Sequence, residues 1–293
     1  MGNVDIYLLN FTSKQTFMYN RYLDEDYLTP AGTLVEILAH PLYQNSESIE
    51  LAMFYEHRYA FFFWLKWTRK LREEKHTLSP PALISLDWHQ DLCYPEDKTA
   101  LAALDQSNNK EIATYSWLGL NPNNDGQIMS AAYLNAVGNI YVLCRQGTFS
   151  SDWEDEYLTD VAGNVHTVRK YKTYANLLQD LKSSDETAIY FDIDLDFFTI
   201  DNPYNDSSDE FTFLSTEEIK EILSPESELM TWIFERLCGF TIAVEPEHTG
   251  GLSIANKYLD LINDILFSPP LFTNYGDQWT KGTQWRHLSN HKF

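Results

Sequence analysis

Apolar residues in this chain gather into short runs with longer stretches of helical periodicity between them. The runs are "VDIYLL" (4 to 9), "IELAMFY" (49 to 55), "ALISL" (82 to 86), "NIYVLC" (139 to 144), "AIYF" (188 to 191) and "FTIAV" (240 to 244). Their length and their Val, Ile, Tyr and Phe content predict buried strands. Helices are expected over 57 to 75, 127 to 136, 172 to 182 and 216 to 223, the last opened by a capping box from Ser215 to Glu218. Strand and helix thus alternate. That order predicts an α/β fold of three layers, with a mostly parallel sheet between two layers of helices and ligands collected at the carboxyl ends of strands. Residues 145 to 165 and 201 to 214 are polar and acidic and read as long loops that could wall a substrate groove. No internal repeat is present, and 1 to 293 is expected to be a single domain whose last part, from about 268, wraps the surface.

Composition narrows the partners. With 43 acidic and 21 basic residues the net charge is -22, which repels nucleic acid phosphates and favours a cationic substrate. No apolar run of membrane-spanning length occurs, and Met1 to Asn10 lacks the pattern of a signal peptide. Three widely spaced cysteines, Cys93, Cys144 and Cys238, suit a reducing setting. A cytoplasmic protein without membrane attachment is therefore expected, with Cys93 packed in the core.

The chemistry lies where two of the runs end. "ALISLDWHQDL" places Asp87, His89 and Asp91 at every second position, and "AIYFDIDLDFF" does the same with Asp192, Asp194 and Asp196. Alternate residues of an extended segment share a side, so the two sets can converge from neighbouring strands. Carboxylates gathered in this way repel one another unless cations offset their charge. A donor set of oxygens and imidazole favours Mn²⁺ over a structural zinc site.

"LDWHQD" with "FDIDLD" resembles the paired metal motifs of the ureohydrolases, the arginases and agmatinases. The longer strings "YEHRYAFFFW", "SLDWHQDL" and "DIDLDFFTIDNPY" are similar to the arginase-like family that contains the peptide arginases, which convert arginine side chains of ribosomal precursor peptides to ornithine and urea. The resemblance spans residues 48 to 251. It implies an arginase/deacetylase-like fold and two Mn²⁺, with Asp87 and Asp192 bridging them, His57 and Asp91 completing one metal and His89 and Asp194 the other. It further implies a metal-bridging hydroxide as nucleophile, Asp91 as the proton-transferring acid, and an arginine-containing precursor peptide as partner. The family's third aspartate falls where this chain has Phe197, and Asp196 receives no ligand role.

The guanidinium needs a carboxylate able to take it in a two-point hydrogen bond. Glu245, at the end of the last strand in "TIAVEPEHTGG", is the first candidate and Glu247 the second. His248 is a candidate proton shuttle, and His166 another. Competing functions remain: a ureohydrolase acting on free arginine or agmatine, a haloacid-dehalogenase-like phosphatase built on Asp192 and Asp194, a metal-dependent deacetylase, and a non-catalytic metal-stabilised protein that binds basic peptides. Oligomeric state is not readable from the sequence.

Overall fold

The computed structural model describes residues 28–42, 47–75, 79–147, 149–199, 213–272 and 283–289. Among them runs one eight-stranded sheet. Its strands are β1 (Leu34–Ala39), β2 (Ser48–Phe54), β3 (Ala82–Leu86), β4 (Ile140–Leu143), β5 (Glu156–Thr159), β6 (Val165–Tyr171), β7 (Ile189–Asp194) and β8 (Leu237–Ala243). They lie in the order β1-β2-β8-β7-β3-β4-β6-β5. The two edge pairs, β1 with β2 and β5 with β6, are antiparallel, and the five pairings between them are parallel. The four strands β2, β8, β7 and β3 are therefore parallel neighbours, and their carboxyl ends form one row.

Helices cover both faces. Alternation along the strands sends Ile84, Phe191 and Ile242 to one face, where α5 (Tyr174–Ser183), α6 (Thr216–Leu223), α7 (Glu228–Phe234) and α9 (Leu252–Leu266) bury their apolar stripes. Phe54, Leu83 and Tyr190 point to the other face and meet α1 (Ala60–Lys75), α3 (Asn109–Leu118) and α4 (Gln127–Tyr133). In α1 the run Phe61 to Trp64 is wholly buried, so this helix is clamped between the sheet and its helical neighbours. The short α2 (Lys98–Ala102) and α8 (Pro246–Thr249) sit in connections near the strand ends, and α10 (Arg286–Ser289) closes the described chain. This is the expected three-layer α/β/α architecture with a mostly parallel sheet.

Five of the expected strands appear, at 48 to 54, 82 to 86, 140 to 143, 189 to 194 and 237 to 243; the sixth, 4 to 9, lies outside the described residues. Helix α6 carries its capping box, with Glu218 N donating to Ser215 Oγ at 3.2 Å and Ser215 N to Glu218 Oε2 at 2.9 Å. The segment 145 to 165 is not a plain loop, because β5 and the start of β6 form a sheet edge within it. Most of the other expected loop, 201 to 212, is outside the described residues. Near the end of the chain Trp285 is buried in the core instead of lying on the surface. Its ring packs against those of Phe234, Phe240 and Phe267, and its Nε1 donates to the carbonyl of Ala39 at 2.8 Å. No helix among the described residues is long and apolar enough to cross a membrane.

Candidate metal centre and active site

The row of carboxyl ends on β2, β8, β7 and β3 carries the chemistry. Just past β2, a single turn of 3-10 helix (His57–Tyr59) carries the His57 ring, fully buried. Past β3 come Asp87, His89 and Asp91; β7 contributes Asp192 and Asp194, with Asp196 in the 3-10 turn that follows; past β8 stands Glu245. All five aspartates and Glu245 are buried.

His57 is the hub. Its Nε2 hydrogen-bonds to Asp192 Oδ2 at 2.9 Å. Its Nδ1 lies 2.9 Å from Asp91 Oδ2, 3.1 Å from Asp194 Oδ2 and 3.5 Å from Asp87 Oδ2, yet makes no hydrogen bond. A few ångströms away, His89 Nδ1 is 2.8 Å from Asp196 Oδ2 and 3.8 Å from Asp87 Oδ1. Asp87 Oδ2 and Asp196 Oδ2 are buried without a hydrogen-bond partner. Buried polar atoms left unpaired are rare and expensive. Here they converge as two groups, His57 with Asp87 and Asp91, and Asp87 with His89 and Asp196. Lone-pair atoms crowded in this way offer a donor set that a divalent cation could fill. The two groups share Asp87, and neither contains a thiolate, so hard cations such as Mn²⁺ or Mg²⁺ fit.

The backbone is shaped to make this possible. Asp91 has φ 51° and Glu245 φ 33°, left-handed conformations that cost a residue with a Cβ and that gather at functional sites. Outer contacts then fix the carboxylates. Gln127 Nε2 donates to Asp91 Oδ2 at 2.6 Å, Trp88 N to Asp196 Oδ1 at 3.0 Å, Asp196 N to Asp194 Oδ1 at 3.2 Å, and His57 N to Glu245 Oε1 at 2.9 Å. Deeper in the sheet, Ser85 Oγ and Thr241 Oγ1 donate to Asp192 at 2.8 and 2.5 Å.

Electrostatics follow from the crowding. Burial, and then the charges of Asp91, Asp196 and Asp194, hold the Asp87 carboxyl well above the usual range. Burial and Asp196 push Asp194 up to about 7, and burial with Asp194 raises Glu245 as well. For His57 burial works in the opposite direction, but the Asp192, Asp194 and Asp91 carboxylates outweigh it and raise the imidazole well above its ordinary value. A protein free of cations therefore stores protons where the cations would sit.

Above the cluster opens a cavity of about 590 Å³. Asp91, Asp125, Glu156, Glu245, His89 and His248 line it, and no Lys or Arg does so among the described residues. His248 is exposed, with its ring centroid 5.4 Å from that of His89. Glu247 is also exposed and does not line the cavity.

Two expectations are corrected here. Cys93 is exposed and lines the cavity instead of packing in the core, and partial desolvation of the thiol, with Asp125 beside it, pushes its pKa up to about 11. His166 is remote from the cluster. It lies on β6, 3.2 Å from Asp160, and lines a different cavity of about 1130 Å³ beside the residues that precede β3, β4 and β7. The motif reading overlooked Asp196, although it continues the alternation of Asp192 and Asp194, because the family's spacing offered it no role. Gln127 gave no signal, since a glutamine opening a helix is ordinary until the fold turns it toward Asp91.

No family model matches the chain, and no curated protein matches it. Among solved structures, proclavaminate amidino hydrolase from Streptomyces clavuligerus is similar at 13% identity and TM-score 0.38, over 72% of this chain and 61% of that one. Agmatine ureohydrolase of Thermoplasma volcanium is similar at 14% identity and TM-score 0.34, over 71% of this chain and 68% of that one. Helicobacter pylori arginase is similar at 17% identity and TM-score 0.36, over 72% and 71%. The chain thus spans less than two thirds of the length of the Streptomyces protein.

Proposed function

We propose that this protein is a binuclear manganese hydrolase that converts arginine side chains of a peptide to ornithine, with release of urea. The observation that carries the reading is the cluster itself: two imidazoles and five aspartates converge beneath an acidic cavity, with lone-pair atoms left unpaired. His57, Asp87, His89, Asp91 and two of the three aspartates in the string from Asp192 to Asp196 would hold the cations. When bound, such cations make water acidic enough to supply hydroxide near neutral pH.

The chain's own groups do the rest. Glu245, buried beside the cluster with one oxygen fixed by His57 N, would take the guanidinium and hold its carbon beside the residues of the cluster. Asp91, kept in place by Gln127, accepts the proton that the attacking water sheds and returns it to the leaving amine nitrogen. Water adds to the guanidinium carbon, the bond from that carbon to the side-chain nitrogen breaks, and ornithine and urea result. His248, at the cavity mouth, relays protons to solvent. Glu247 has no part in binding.

The cavity wall supports a peptide substrate. A free arginine carries an α-carboxylate that this acidic wall, with no Lys or Arg among its described residues, would repel. An arginine within a peptide has no such group. Agmatine lacks it too and is the second reading. A phosphatase built on one Asp-x-Asp leaves His57, Asp87, His89 and Asp91 without a role. The decisive assay measures urea from an arginine-containing peptide, from agmatine and from free arginine, each with Mn²⁺. Urea from the peptide alone supports the proposal, urea from agmatine moves the protein to a small-molecule ureohydrolase, and urea from free arginine alone refutes the substrate assignment.

A further inference from the structure

The resemblance assigns the second metal motif to Asp192 and Asp194, but the geometry points to a register two residues later. We infer that Asp194 and Asp196 are the cation ligands contributed by β7 and its following turn, and that Asp192 is a positioning residue for His57. This rests on the metal-centre reading proposed above.

Three observations on separate atoms agree. Asp192 sits within the sheet, in register with Ser85 of β3 and Thr241 of β8. Its Oδ1 takes the hydroxyl of Thr241, and its Oδ2 takes both the hydroxyl of Ser85 and Nε2 of His57. A carboxylate so engaged fixes the tautomer of the ring, with the proton on Nε2 and the lone pair on Nδ1, as outer partners of metal-bound histidines do. That Nδ1 then faces Asp194 Oδ2 at 3.1 Å and Asp91 Oδ2 at 2.9 Å. Asp196 Oδ2, by contrast, has no hydrogen-bond partner, although its residue is 1% exposed. Trp88 N pins the other oxygen, so Oδ2 is turned toward His89 Nδ1 at 2.8 Å. One cation position is thus bounded by His57, Asp91 and Asp87, the other by His89, Asp196 and Asp87, with Asp194 on the His57 side.

The test compares Asp192→Asn and Asp196→Asn with wild type by elemental analysis and by electron paramagnetic resonance of Mn²⁺ titrated into the full chain stripped of metal. Both changes preserve side-chain volume, and circular dichroism of the metal-free variants checks folding; His89→Ala serves as an independent second probe of the Asp196 position. Asp192→Asn should still bind two ions that couple magnetically, with affinity reduced by roughly the 10–100-fold that loss of an outer partner costs. Asp196→Asn and His89→Ala should each bind a single, uncoupled ion at Mn²⁺ concentrations that saturate wild type. Two coupled ions in Asp196→Asn, at wild-type affinity or merely 10–100-fold weaker, would overturn the assignment, as would loss of an ion in Asp192→Asn alone. Because the readout is metal and not urea, a wild-type protein that binds two ions without hydrolysing any guanidino compound would refute the proposed reaction and leave this assignment intact. A wild-type protein that binds no ion would refute both.

Discussion

Glu245 joins the two halves of the site, since its buried carboxylate accepts His57 N while it lines the cavity. Glu245→Gln keeps an acceptor for that amide and loses the charge proposed to face the guanidinium. Truncating a buried charged partner costs about 2–4 kcal/mol, so kcat/KM should fall roughly 30- to 1000-fold with metal content unchanged. Glu247→Gln should leave both alone. Titration at the same residues gives a second prediction. In the metal-free protein Asp194 is held near 7, above the roughly 4 of an unfolded aspartate. Between those values the folded state binds more protons than the unfolded one, so stability falls as pH rises. His57, raised by its carboxylates despite burial, acts in the same sense, because its contribution is lost as pH rises through its folded value. The unfolding temperature of EDTA-treated protein should therefore increase as pH is lowered from about 8 to 5, and Mn²⁺ should flatten or reverse that trend by displacing the protons. A metal-free protein that loses stability on the same descent would contradict the crowding of these groups.

At the scale of elements, α1 and β8 meet at Gly239, where a Cβ would fall on the Trp67 ring. Because α1 follows directly on the turn that carries His57, Gly239→Ala should push on the helix and so on the candidate metal centre. A cost of about 1–3 kcal/mol should appear in denaturant unfolding, together with weaker Mn²⁺ binding. Unchanged stability would mean the helix can shift freely. The central strands were legible because β3, β4 and β7 are buried along their whole length and appear as unbroken apolar runs. Edge strands have no such mark: β1 "LVEILA" is mostly exposed and β5 "EYLT" alternates within an acidic stretch. Helix α9 went unread because it starts at Gly251 without a side-chain cap, although α3, missed as well, does carry one in Asn108. In the site, spacing alone located both aspartate sets and the ends of their strands. Which oxygen of which aspartate is free could not be read there, because it depends on Ser85, Thr241 and Trp88, brought close by strand pairing rather than by sequence.

Over the whole molecule, the net charge of -22 meets an acidic cavity, so a cationic peptide should be steered toward the site. Raising ionic strength from about 0.05 to 0.5 M shortens the Debye length from roughly 14 to 4 Å and should lower kcat/KM for such a peptide several-fold, mainly through KM. A salt-independent KM would assign the charge to solubility alone. Metal-dependent attack at a guanidinium is tested most directly by urea release from an arginine-containing peptide before and after chelation and Mn²⁺ restoration. The expected result is urea with Mn²⁺, none in EDTA, and recovery once about two equivalents of Mn²⁺ per chain are returned. Protein that binds two Mn²⁺ yet releases no urea from any guanidino compound, or urea release indifferent to EDTA, would contradict it.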